Sequence, residues 1–131
     1  MTDLQELESQ GDAFAQYDRG YMYEFGKGVP LDHAEAMRWY RLAADQGLQD
    51  AQLAIGYMYS NGKGVPLDDA EAVKWYRMAA EQGDASAQFN LGVMYKRGKG
   101  VPLDAAEAVR WFHMAAEHGL AHAQEMLDNI D

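Results

Sequence analysis

The sequence predicts an all-α solenoid of three helix-turn-helix repeats, each 36 residues long, with a half-repeat cap at both ends. One observation is a seven-residue run, Gly-Lys-Gly-Val-Pro-Leu-Asp, which stands at residues 26–32 and returns unchanged at 62–68 and 98–104. Another is that a glycine, a tryptophan and an Ala-Ala pair recur at the same interval between the copies. A period of about 20–50 residues is typical of stacked supersecondary units.

The whole chain is predicted to form one domain, since 131 residues are enough to bury a sizeable core. An N-terminal half-repeat cap spans residues 1–11. Three repeats follow at residues 12–46, 47–82 and 83–118, and a C-terminal capping helix spans residues 119–131. Leu4 and Leu7 are spaced to cover the open end of the first repeat. At the other end, Met126, Leu127 and Ile130 are expected to seal the third repeat.

The first helix of each repeat is predicted from apolar residues at helical spacing. In the middle repeat this face holds Ala51, Ile55, Met58 and Tyr59. Gly56 lies in mid-helix, where glycine costs up to about 1 kcal/mol relative to alanine. Glycine recurs there as Gly20 and Gly92. We therefore expect another helix to cross at this position too closely for a side chain.

The second helix of each repeat is predicted to begin at the aspartate that closes the repeated loop. In the middle repeat the carboxylate of Asp68 can accept hydrogen bonds from free N–H groups of the first turn. The carboxylate of Glu71 can in return accept from the backbone N–H of Asp68, which would complete a capping box. Glu71 also lies three residues before Lys74, at ion-pair spacing. The predicted buried stripe comprises Ala72, Trp75, Tyr76, Ala79 and Ala80. Gly83 follows as the residue that ends the helix.

Composition excludes several classes of function. The chain has no cysteine, which excludes disulfides, thiolate metal sites and a cysteine nucleophile. A net charge of -10 argues against nucleic acid or an anionic membrane surface as partner. We find neither a signal peptide nor an apolar run long enough to span a bilayer, and expect a cytoplasmic protein.

The acidity is concentrated at the two ends of the chain. Residues 1–12 and 117–131 carry four acidic residues each and no lysine or arginine. The other 13 acidic residues face all 11 basic ones, which leaves -2 for residues 13–116. Acidic ends keep the terminal faces of a stacked array soluble. A recognition surface for a basic partner remains the alternative.

These residues together resemble a Sel-1-like repeat, an offshoot of the tetratricopeptide-like helical repeats. The resemblance rests on two runs that recur in three copies. They are Ala51-x-x-x-Ile55-Gly56-x-x-Tyr59-x-x-Gly62-x-Gly64-Val65-x-x-Asp68 and Ala72-x-x-Trp75-Tyr76-x-x-Ala79-Ala80-x-x-Gly83. It implies a right-handed superhelix of antiparallel helix pairs, with the first helices lining the concave side. It also implies an adaptor or scaffold role.

Two departures from the family pattern matter. The cysteine-rich branch staples each repeat with a disulfide, and this chain has no cysteine, so the weak β-lactamase activity attributed to that branch is not carried over. In the first repeat, Arg19 replaces the Ile55 and Leu91 of the other two. A charge at such a position is usually solvated or paired, and Glu6 or Glu8 is the expected partner.

The residues give no support for an enzyme, a metal site or a cofactor. No nucleophile elbow surrounds a serine, and the Gly-Lys-Gly loops lack the order that wraps a phosphate. His113, His118 and His122 crowd the C-terminal end, but Gly119 interrupts the helix between the last two. We expect them to be surface histidines.

The candidate site lies on the first helices, at positions roughly opposite the core face. Its residues form an aromatic-rich stripe that changes from acidic to basic along the chain. They are Tyr17, Tyr21 and Glu24, then Leu53, Tyr57 and Ser60, then Phe89, Val93 and Lys96. Aromatic residues exposed in a groove favour a binding surface. Positions 17, 53 and 89 can instead pack as core between neighbouring first helices.

The sequence therefore predicts a module that binds a protein or peptide on the concave face. The alternative is an immunity or inhibitor protein that binds and blocks a toxin or enzyme, with its acidic ends covering a basic active site. Homo-oligomerisation is also open, because capped arrays can still stack end to end.

Overall fold

The structure, a computed structural model, describes residues 11–129. The predicted contacts of Leu4, Leu7 and Ile130, most of the N-terminal half-repeat cap, and the proposed Arg19 partners Glu6 and Glu8 lie outside the described residues. Arg19 itself is half-buried, and its guanidinium carbon lies 5.9 Å from the centroid of the Trp39 ring.

Within residues 11–129 the structure contains seven α-helices and no strand, as predicted. The helices are α1 (Ala13–Phe25), α2 (His33–Asp45), α3 (Gln49–Asn61), α4 (Asp69–Glu81), α5 (Ala85–Arg97), α6 (Ala105–Glu117) and α7 (Ala121–Asp128). The chain divides into two compact units, residues 1–67 with α1 to α3 and residues 68–131 with α4 to α7. Within each unit, every helix packs against the next along the chain.

The helix ends follow the repeated loop, as the sequence predicts. The first helices α1, α3 and α5 end at Gly26, Gly62 and Gly98, each in the left-handed conformation with φ between 64° and 66°. At the start of α4, the side chain of Asp68 accepts a hydrogen bond from the N–H of Glu71 at 3.1 Å. Asp32 and Asp104 cap α2 and α6 in the same way.

The capping box expected at these helices does not form at α2 and α6, because a carbonyl of the preceding helix takes the N–H of the capping aspartate. The backbone N–H of Asp104 donates to the carbonyl of Tyr95 at 3.0 Å, so it is occupied by the preceding helix. The carboxylate of Glu107 turns along its own helix and accepts from the indole Nε1 of Trp111 at 3.1 Å. It also forms the predicted ion pair with Arg110, at 2.6 Å. The glutamate thus orients the tryptophan in the third repeat, as Glu71 does for Trp75 in the second at 3.2 Å.

At Gly20 and Gly92, two of the three mid-helix glycines, the paired helix leaves no room for a side chain, as predicted. A Cβ added at Gly20 would lie 2.6 Å from Cδ1 of Tyr40 on α2. A Cβ at Gly92 would lie 2.7 Å from Cε1 of Phe112 on α6. Both rings are fully buried. In each pair the glycine therefore sets how closely the first helix lies on the second.

The repeated loop also packs against the preceding repeat. Gly64 has φ +75°, and a Cβ there would lie 2.5 Å from the backbone oxygen of His33, at the start of α2. Gly100 has φ +73°, and a Cβ added there would overlap the backbone oxygen of Asp69 in the same manner. The second glycine of the loop is thus required both by its backbone conformation and by this contact.

Candidate functional site

The nine residues of the predicted stripe differ widely in exposure. Tyr21 and Tyr57 are 39% and 42% exposed, and both lie in the unit of residues 1–67. Lys96, in the other unit, is exposed as well. The partly buried members are Tyr17, Leu53, Ser60, Phe89 and Val93, and Glu24 is buried.

Tyr17 and Phe89 pack against the ring that meets the glycine of the same helix pair. The ring centroids of Tyr17 and Tyr40 lie 5.5 Å apart, and those of Phe89 and Phe112 lie 5.6 Å apart, both in tilted arrangements. Burial, followed by the nearby charge of Asp50 on α3, raises the pKa of Tyr17 above its ordinary value. These two aromatic residues therefore support the core of their helix pairs.

Glu24 faces the interior, although its position in the repeat assigns it to the exposed stripe. It is only 7% exposed, and its Oε1 accepts a hydrogen bond from the hydroxyl of Tyr40 at 2.5 Å. Burial and this carboxylate raise the pKa of the Tyr40 phenol above its ordinary value. Because its charge is held by Tyr40, Glu24 does not supply the acidic end of the predicted gradient.

An exposed aromatic cluster lies at the end of α1, and it includes a residue that the stripe omitted. The rings of Tyr21 and Phe25 lie 4.6 Å apart, and Phe25 is 51% exposed. The sequence contained a signal, because Phe25 replaces the Asn61 and Arg97 of the other repeats. Exposed Phe14 lies on the same side of α1, seven residues before Tyr21.

A lysine from the repeated loop accompanies each of the two exposed tyrosines. The Nζ of Lys27 lies 4.9 Å from the ring centroid of Tyr21, and that of Lys63 lies 5.3 Å from that of Tyr57. Among the described residues, no carboxylate lies within ion-pair distance of either ammonium group.

The ion pairs of the described residues lie elsewhere. The predicted i, i+3 pairs form on the second helices, between Glu35 and Arg38 at 2.8 Å and between Glu71 and Lys74 at 3.9 Å, besides the one on α6. Lys27 and Lys63 therefore differ from the cations of the second helices, because no described carboxylate pairs with their ammonium groups and a partner can reach them.

Other candidate chemistry does not assemble in the described residues. His113, His118 and His122 are all exposed, as expected. The Nδ1 of His118 lies 2.9 Å from Oε1 of buried Gln88, and the ring of His122 lies 6.5 Å from that of Phe89. No group of three or more metal-ligating side chains comes together between residues 11 and 129. Over the same range, none of the helices is long and apolar enough to cross a membrane.

Comparison with protein families gives one match, repeated three times. A family model described as the Sel1 repeat matches residues 13–48, 49–84 and 85–120. These matches confirm the resemblance inferred from the sequence and the fold class of three helix-turn-helix repeats. No match was found among curated protein sequences.

Two solved structures are similar to this chain in sequence as well as in fold. A protective antigen of uropathogenic Escherichia coli, with an SLR fold, is 44% identical over 94% of this chain, with a TM-score of 0.90. This chain spans only 26% of the length of that structure. A Sel1 repeat protein from Oxalobacter formigenes is 38% identical, with 98% of this chain and 96% of that one covered and a TM-score of 0.87.

A third structure shares the fold alone. The cysteine-rich protein B of Helicobacter pylori is 20% identical, with 95% of this chain and 97% of that one covered and a TM-score of 0.74. By its name that protein is cysteine-rich, whereas this chain contains no cysteine.

Proposed function

We propose that this chain, which belongs to the Sel1 repeat family, binds a protein or peptide partner through the exposed side of its first helices. Sel1 repeat proteins are commonly protein-interaction modules. In the unit of residues 1–67 the contact residues are Tyr21 and Tyr57, with Leu53 and Ser60 on the same helix as Tyr57. The unit of residues 68–131 offers Lys96 and Val93 on its own first helix. Glu24 is not among them, because Tyr40 holds its carboxylate inside the protein.

The observation that carries this proposal is the exposure of Tyr21 and Tyr57 beside a closely packed core. Trp39, Tyr40 and Phe112 are fully buried, so the helix pairs have room for large rings. The two tyrosines nevertheless remain about two-fifths exposed. Exposed aromatic side chains held on rigid helices are the residues that dominate the energetics of protein interfaces.

The test is the double substitution of Tyr21→Ala and Tyr57→Ala. The tagged protein and this variant are used to capture partners from a lysate of the native host, which are then identified by mass spectrometry. We expect the variant to retain at most about a tenth of the partner, since one interface aromatic is commonly worth more than about 1 kcal/mol. Its melting temperature should stay within a few degrees of the wild type, because both rings are largely exposed.

The matched control is Leu103→Ala, which removes an exposed apolar side chain from the loop before α6. This variant should capture the partner as well as the wild type does. Equal capture by the tyrosine variant, or equal loss with the leucine control, would contradict the proposed site.

A further inference from the structure

We infer that the partner of this surface is an acidic peptide segment, with carboxylates beside a bulky apolar side chain. The inference rests on the proposed function and specifies the chemistry of the partner. The apolar side chain packs on Tyr21 and Phe25, and the carboxylates bind the ammonium groups of Lys27 and Lys63. All four residues belong to the unit of residues 1–67.

The apolar part of this surface lies at the end of α1. Tyr21 and Phe25 are one helical turn apart, their rings lie 4.6 Å from each other, and both are substantially exposed. A pair of adjacent rings covers more area than a single exposed residue and offers a flat face to a leucine or phenylalanine side chain. Only the first repeat has two aromatic residues at these positions, because Phe25 corresponds to Asn61 and Arg97.

The charged part of this surface lies in the repeated loops that follow α1 and α3. Lys27 and Lys63 lie over the tyrosine rings and within ion-pair distance of no described carboxylate. A carboxylate that approaches either ring from solvent therefore meets an ammonium group that has no competing ion pair. Charge-assisted hydrogen bonds of this kind are stronger than neutral ones.

The acidic residues nearest to Lys27 in the chain do not oppose such a partner. The carboxylate of Glu24 accepts the hydrogen bond from Tyr40, and that of Asp32 accepts from the N–H of Glu35. Both charges are thus engaged within the fold. The net charge of -10 also bears little on this region, because residues 13–116 together carry only -2.

The experiment measures the binding of labelled synthetic peptides by fluorescence anisotropy at low and high salt. All peptides share an apolar core of leucine and phenylalanine, and the flanking residues are aspartate in one, serine in the second and lysine in the third. We expect the aspartate-flanked peptide to bind tightest and to weaken as salt rises, since salt screens exposed charges. Tighter or equal binding of the serine- or lysine-flanked peptide would overturn the inference, as would binding of none of them.

The decisive variant is the double substitution Lys27→Gln and Lys63→Gln. We expect it to bind the aspartate-flanked peptide about tenfold more weakly, as is reasonable for the loss of two partly exposed charge contacts. Lys74→Gln is the matched control, because it removes the same charge from a second helix where Lys74 pairs with Glu71. Unchanged binding by the double variant, or equal loss with the control, would overturn the inference.

A second comparison separates this inference from the proposed function. If the serine-flanked peptide binds equally well and loses its affinity with Tyr21→Ala and Tyr57→Ala, the surface remains a binding site and only the acidic partner is wrong. If the tyrosine variant binds every peptide as the wild type does, both the site and the inference fail.

Discussion

The helix pairs α1–α2 and α5–α6 share one contact and differ in another. In both pairs a glycine of the first helix meets a buried ring of the second, Gly20 at Tyr40 and Gly92 at Phe112. The same contact between a glycine and a buried ring therefore sets the spacing of the two helices in the first and the third repeat.

The difference lies one turn further along the first helix. In α1, Glu24 is buried and accepts from the Tyr40 hydroxyl, whereas Lys96 of α5 is exposed and the buried ring beside its helix, Phe112, has no hydroxyl to donate. The end of α1 is thus bonded to the core through Glu24 and Tyr40, whereas Lys96 at the corresponding position of α5 lies in solvent. The first and third repeats therefore keep the contact that sets helix spacing and differ at the end of the first helix.

The largest effect is expected where the two pairs agree. Gly20→Ala and Gly92→Ala should each lower the free energy of unfolding by about 1–3 kcal/mol, since the new methyl group overlaps a ring that is packed on all sides. Chemical denaturation measures this loss. Ser86→Ala, at an exposed position of α5, is the control and should change stability by less than about 0.5 kcal/mol. Stability unchanged by both glycine substitutions would show that the glycines do not set the spacing.

A smaller effect is expected where the pairs differ. Tyr40→Phe should cost about 1–2 kcal/mol, because it leaves the buried carboxylate of Glu24 without its hydrogen bond. Adding Glu24→Lys, which reproduces the Lys96 and Phe112 of the third repeat, should restore part of the loss in the same denaturation experiment. The stability losses of Tyr40→Phe and Glu24→Lys are also measured singly. If the loss of the double variant equals the sum of the two single losses, the two residues are not coupled.

The smallest effect concerns pH. Burial and Glu24 raise the pKa of Tyr40, so above about pH 10 the unfolded phenol loses its proton while the folded one keeps it. The folded state then binds more protons, and stability that is fully present below about pH 10 falls as the pH rises further. Denaturation at neutral and alkaline pH should show a shallower alkaline loss for Tyr40→Phe. An identical pH dependence for both proteins would contradict the assignment to Tyr40.

Much of the fold follows from the repetition in the sequence. Since each loop carries its own helix stop and helix cap, the helix ends could be located from residues such as Gly62 and Asp68. The recurrence of Gly20 and Gly92 predicted a close helix crossing, which the structure confirms. These features depend on local geometry that is the same in every copy.

The candidate site follows from the sequence less completely. Helical spacing gives the direction in which Glu24 leaves its helix, but it does not show that the side chain reaches a hydroxyl 16 residues away. The capping box was wrong for a similar reason, because the N–H of Asp32 donates to the carbonyl of Tyr23. Phe25 and Lys27 were missed because they lie outside the repeating stripe, although the unusual aromatic residue at position 25 is visible in the sequence.

The most direct test of the account measures binding and stability on the same variants. With a captured partner or the aspartate-flanked peptide, Tyr21→Ala combined with Tyr57→Ala should lose about tenfold or more in affinity and keep its melting temperature within a few degrees. Gly20→Ala should lower the melting temperature and, at a temperature where it remains folded, bind within about threefold of the wild type. Loss of affinity by the glycine variant alone, with the tyrosine variant binding normally, would contradict the division between a packed core and a binding surface.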